Sequence, residues 1–114
     1  MYPRPLNLQW DDREGFILLD PYECLWREHR IVAPKGFHTD LASIPRFLTP
    51  IVPKIGLWNG PAVIHDFCFR TGALSFEDSN QCFLDGMAHK RVPEETRYTI
   101  YEAVSRFGRD SYKG

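Results

Sequence analysis

Gly36-Phe37-His38-Thr39-Asp40-Leu41-Ala42-Ser43-Ile44-Pro45, read with Val63-Ile64-His65-Asp66-Phe67 further on, decides how this chain is organised. The first stretch is rich in turn formers and falls where a strand pattern stops and a helical one begins. The second sets a His-Asp pair inside an apolar run. Both put proton-exchanging or metal-competent side chains beside bulky hydrophobes. Two readings follow: a small active site, or the polar network that fixes the joint between sheet and helices.

Before this junction the pattern is strand-like. Residues 1–7 hold Pro3 and Pro5 and read as an extended arm. Phe16-Ile17-Leu18-Leu19 is apolar and bounded by Gly15 and by Asp20-Pro21, a turn signal. Tyr22 to Trp26 follows, then Arg27-Glu28-His29 as a polar turn, then Arg30 to Ala33. Residues 8–34 therefore predict two or three antiparallel strands with short turns, closed by Pro34-Lys35-Gly36.

Beyond the junction the pattern turns helical. Pro45 suits the first position of a short helix, and the proline-rich stretch up to Asn59 reads as an ordered loop anchored by Trp58. A helix is expected from about residue 61 to 70, stopped by Thr71-Gly72. Ser75 and Asp78 have the spacing of a capping box for a second helix, which runs to about Lys90. Pro93-Glu94-Glu95 opens a third, with Ile100, Tyr101, Val104 and Phe107 as its apolar stripe and Gly108 as its end. The expected fold is a single α+β domain: a small N-terminal antiparallel sheet with about three helices packed on it.

Composition narrows the function classes. The 114 residues carry a formal net charge of −1, 43% hydrophobic and 25% charged residues. That is an ordinary globular balance, with no electrostatic pull toward nucleic acid. No apolar run is long enough to span a membrane, and Met-Tyr-Pro-Arg-Pro is not a signal peptide. Cys24, Cys68 and Cys82 are odd in number and lack Cys-x-x-Cys spacing, so they read as reduced, mostly buried thiols of a protein made in the cytoplasm. Aromatics at 14% exceed what so small a core hides easily, and surplus exposed rings favour a protein–protein surface.

On the first helix, a step of about 100° per residue puts Ile64, Phe67 and Cys68 on one face. His65 falls at its edge near Phe69, and Asp66 lies further round. An oriented histidine there serves as a general base; the alternative is one satisfied hydrogen bond. Asp66 could pair with Arg46 or Arg70, or bind a metal. Asp40 and Ser43 have the spacing of polar turns that bond their own backbone, and His38 reads as a solvent-facing loop residue. On the second helix Phe83, Leu84 and Met87 define the core side. Asn80 shares that side and is placed to meet His65. Asp78, Cys82, Asp85 and His89 have helical metal-ligand spacing but read as a solvated face.

Pro34-Lys35-Gly36-Phe37-His38-Thr39-Asp40-Leu41-Ala42-Ser43-Ile44-Pro45 resembles the signature of a small family of unknown function encoded mostly by bacteriophages and prophages. Ala62-Val63-Ile64-His65-Asp66-Phe67 is similar to its second motif, His-Asp followed by an aromatic. Asn80, Phe83 and Met87 stand where its members usually show Asp, Phe and Met, and Tyr101-x-x-Val104-x-x-Phe107-Gly108 is similar to its closing pattern. The resemblance covers about residues 28–112. Asn80 departs from it: an amide fixes a tautomer but stabilises an imidazolium poorly. His65-Asp66-Phe67-Cys68-Phe69 also resembles the His-Asp-x-Cys-Tyr helix of secreted phospholipases A2, without that class's disulfides or glycine-rich calcium loop.

The resemblance implies a virion protein of tail, neck or baseplate, contacting other virion proteins or itself, with no cofactor. The alternative is a small hydrolase of envelope material, peptidoglycan or phospholipid. Its candidate catalytic set is His65, Asp40, Asp66, Asn80 and Ser43, with Asp66 and Asp40 as ligands to a divalent metal such as calcium or zinc. A third expectation is a host-interaction factor that binds without chemistry.

Overall fold

A computed structural model describes residues 1–11, 15–39 and 58–114. Strands β1 (Leu8–Asp11), β2 (Gly15–Leu18), β3 (Tyr22–Trp26), β4 (His29–Ala33) and β5 (His38–Thr39) precede helices α1 (Asn59–Thr71), α2 (Phe76–His89) and α3 (Glu94–Phe107). A 3-10 turn at Arg109–Ser111 follows α3. The α+β architecture expected from the pattern is therefore observed.

The strands differ from the expectation in number and grouping. There are five described strands rather than two or three, in two sheets: an antiparallel trio in the order β1-β2-β5 and the β3-β4 hairpin. The extra strands are short pieces at the two ends. β1 adds to the outer side of β2, and β5 is the start of the Thr-Asp motif itself. Pro34 to Phe37 form the turn between β4 and β5, where Phe37 N–H donates to the Pro34 carbonyl at 3.1 Å. Gly36, at φ +88°, supplies a backbone conformation that side-chain-bearing residues resist. The β3-β4 turn has Arg27 at φ +52°, so no glycine marks it in the sequence.

Period-two alternation buries Tyr22, Cys24 and Trp26 on β3 and Ile31 and Ala33 on β4. Against them lie Ala62, Val63, Ile64 and Cys68 of α1 and Cys82, Phe83 and Met87 of α2. Ile100, Ala103 and Val104 of α3 complete the core. Phe107 does not belong to the buried stripe: it is 64% exposed, one turn beyond the last core contact of α3. Gly72 ends α1 in the left-handed region at φ +74°, and Ser75 Oγ accepts from Asp78 N–H at the start of α2. The caps thus do what their spacing predicts, and the stripe does so at Ile100 and Val104. Among the described residues no helix is long and apolar enough to cross a membrane.

The N-terminal arm is docked. The Met1 carbonyl accepts from Leu25 N–H at 2.7 Å, continuing the β3 edge, and the Tyr2 ring stacks on Tyr22 at 5.5 Å between centroids. The Tyr2 hydroxyl occupies the space that a Cβ on Gly86 would take, and the Pro61 side chain is 3.2 Å from the same point. Glycine inside a helix normally costs about 1 kcal/mol relative to alanine. Here the sign should reverse: Gly86→Ala should lower stability by about 1–2 kcal/mol through overpacking. Denaturant unfolding checks this, and in a Tyr2→Ala background the same Gly86→Ala change should cost little or nothing. Loss of the penalty in that background identifies the clash as the cause.

Candidate functional site

His65 sits in the middle of α1, and the packing of α1 on α2 carries it inward rather than to the edge of the buried face. The residue is 3% exposed. Its ring lies 4.1 Å from the Phe69 ring centroid and 4.6 Å from that of Phe83, nearly parallel to the latter. Nε2–H donates to Asn80 Oδ1 at 2.8 Å across the helix pair. The expected meeting of His65 and Asn80 is observed, and it fixes the neutral tautomer with a bare Nδ1. That atom has no hydrogen-bond partner among the described residues. Burial pushes the imidazole pKa down to about 4, and the Asn80 bond opposes this only in part. At neutral pH the ring is uncharged and a weak base.

Asp66, the next residue on α1, is half-buried. Its carboxylate meets Arg70 Nε at 3.0 Å, one of the two pairings that the sequence left open. Arg70 then ties α1 to the start of the motif: its Nη1 donates to the His38 carbonyl at 2.7 Å, and its guanidinium lies 5.1 Å from the Phe37 ring centroid. Phe37 in turn meets Phe67 edge-on at 5.6 Å. These contacts pin β5 to α1. Thr39, at the end of β5, is completely buried. Asp40 and Ser43 lie outside the described residues, as does the short helix expected at Pro45.

Three expectations are corrected here. His65 is sealed in the core, not set at its border. His38 is a half-buried strand residue, not a loop residue. It lies over Gly15, whose missing Cβ would fall 2.6 Å from the ring, and its Nε2 approaches the Asp11 carboxylate at 3.3 Å. That approach lacks hydrogen-bond alignment and becomes an ion pair only when the ring is protonated. Trp58, read as the anchor of the stretch before it, is buried in the core, as that reading requires. Finally, the stripe from Asp78 to His89 is not a solvated face throughout. Cys82 is buried against Cys24, and Asp85 accepts from Trp26 Nε1 at 2.8 Å and from Gln81 at 3.0 Å. Among the described residues no three His, Cys, Asp or Glu side chains are arranged to hold a metal ion.

Sequence reasoning missed the Asp11–His38 approach and the Tyr2 anchor. The available signal was steric: Gly15 and Gly86 are gaps shaped for a ring, but nothing local says which ring fills them.

The chain is 31% identical over 110 residues to the uncharacterized protein y4jT of Sinorhizobium fredii, an alignment covering 95% of this chain and 30% of that protein. The chain thus spans less than a third of that relative's length. No solved structure matches it. A family model described as "Protein of unknown function (DUF1353)" matches residues 16–104, which includes the described strands from β2 to β5, all of α1 and α2, and most of α3. With the match running through both the Thr-Asp and the His-Asp motifs, the chain belongs to this family of proteins of unknown function.

Proposed function

We propose that the protein is a structural or assembly component of a bacteriophage-type particle, with the His65–Asn80 joint as framework rather than catalytic machinery. One observation carries the reading: the imidazole is buried against Phe69 and Phe83, with an amide and not a carboxylate on its N–H. A general base works best with a pKa near the operating pH and with access to its substrate. His65 has neither. A buried ring that is hydrogen-bonded to one helix and packed against phenylalanines of both locks the two helices together. Rings left on the outside support a binding role: Trp10 is 57% exposed, and Tyr98 and Phe107 are exposed with it. The phage setting comes from the resemblance of the two motifs. Mass spectrometry of purified virions from a phage or induced prophage carrying the gene tests it directly. The chain should be present in amounts fitting a particle component; absence from particles ends the reading.

A second reading, the envelope hydrolase, is favoured by the bare Nδ1. A lone pair opposite an oriented N–H is what a general base presents. In that reading wild-type protein degrades peptidoglycan or phospholipid and His65→Ala does not. Activity unchanged in His65→Ala would remove it.

A further inference from the structure

Three cysteines converge on the core from β3, α1 and α2, and all three are reduced and buried. Cys24 and Cys82 touch: their sulfurs are 3.9 Å apart, although 58 residues separate them in the chain. Cys24 is in the centre of β3 and Cys82 in the middle of α2, so a bond between them would tie the hairpin to the helix layer. We infer that Cys24 and Cys82 form a disulfide-forming pair, a redox modification site that staples the β3-β4 hairpin to α2. This goes beyond the particle reading and does not depend on it.

The geometry also indicates the order of events. The S–H···S contact between the two holds the Cys24 thiol below its ordinary range while raising that of Cys82. Cys24 is therefore the sulfur favoured as thiolate, the attacking form. The Tyr2 side chain lies beside it, on an arm held to β3 by the Met1–Leu25 bond. Lifting that arm is the short route for a small reagent.

The co-reactant is a low-molecular-weight disulfide. The Cys24 thiolate attacks one of its sulfurs and releases one small thiol, leaving a mixed disulfide on Cys24. The Cys82 sulfur then attacks the Cys24 sulfur, forms the protein disulfide and expels the second small thiol. Two electrons pass from the protein sulfurs to the small disulfide, and the two thiol protons end on the two small thiols.

The test uses the reduced, folded full chain with glutathione disulfide, read by intact mass and by peptide mapping after alkylation. The expected product is lighter by two hydrogen atoms, carries a Cys24–Cys82 cross-link, leaves Cys68 alkylatable, and reverts with dithiothreitol. Cys68→Ala should give the same product. Tyr2→Ala should oxidise faster, on the order of tenfold, because it loosens the cover. A cross-link through Cys68, a mixed disulfide that never closes, or a folded chain that stays unreacted while the denatured chain reacts would each overturn the inference.

Discussion

Lowering the pH from 7 to 4 should remove about 3 kcal/mol of folding stability through His65 alone. The folded chain holds this imidazole at a pKa of about 4 because burial disfavours the charged ring. The unfolded chain returns it to its ordinary value of about 6.5. Between those two values the unfolded state binds the proton and the folded state does not. Stability therefore rises with pH across the window and is lost as pH falls through it. The difference of roughly 2.5 units, at about 1.36 kcal/mol each, sets the magnitude. Denaturant unfolding at pH 7, 6, 5 and 4 measures it, with His65→Gln as the control that lacks the titrating group. His29, His38, His89 and the carboxylates are common to both proteins and cancel in the difference. Equal pH dependence in the two would mean that the ring is solvated in the folded state. The same result would withdraw the framework reading, since a solvated imidazole cannot serve as a sealed joint.

How much of this joint was legible depends on how local each signal was. Helix periodicity placed Asn80 on the inner side of α2 and named His65 as its partner, because spacing on a helix fixes direction. Periodicity did not say how deep His65 sits. Depth comes from Phe83 on the neighbouring helix, and inter-helix distance is not written in either helix alone. Cys82 reads as part of a charged stripe for a related reason: three polar neighbours at helical spacing outweigh one thiol, although Cys24 of β3 covers that thiol. In the strands, short runs bounded by turn signals mark β2, β3 and β4 almost to the residue. They do not single out β1, which has no continuous apolar run, or β5, two residues inside a turn-rich stretch. His38 reads as a loop residue because its place depends on a gap at Gly15 on another strand. Local chemistry announced the caps at Ser75 and Gly72 and the turn at Gly36. Contacts made by shape, such as Tyr2 on Gly86, announced nothing.

The framework and catalytic readings separate most sharply in a double substitution at the joint. Asn80→Ala alone should cost about 2–3 kcal/mol, since it strands a buried N–H and leaves a small void. His65→Phe alone should also destabilise, by stranding the Asn80 amide between apolar neighbours. Together, His65→Phe/Asn80→Leu should return to within about 1 kcal/mol of the wild type, because replacing both members of a buried polar pair by apolar groups of similar shape is close to neutral. The phenylalanine takes the place of an imidazole that already packs against Phe69 and Phe83. Unfolding free energies of the four proteins give the coupling of the pair directly. Incorporation of the double variant into particles then divides the two readings. A framework joint tolerates an apolar substitute, so particles form and contain it. A catalytic joint does not, because no base is left at position 65. A stable double variant that is excluded from particles, or that loses an envelope-degrading activity present in the wild type, would move the function from the fold to the imidazole itself.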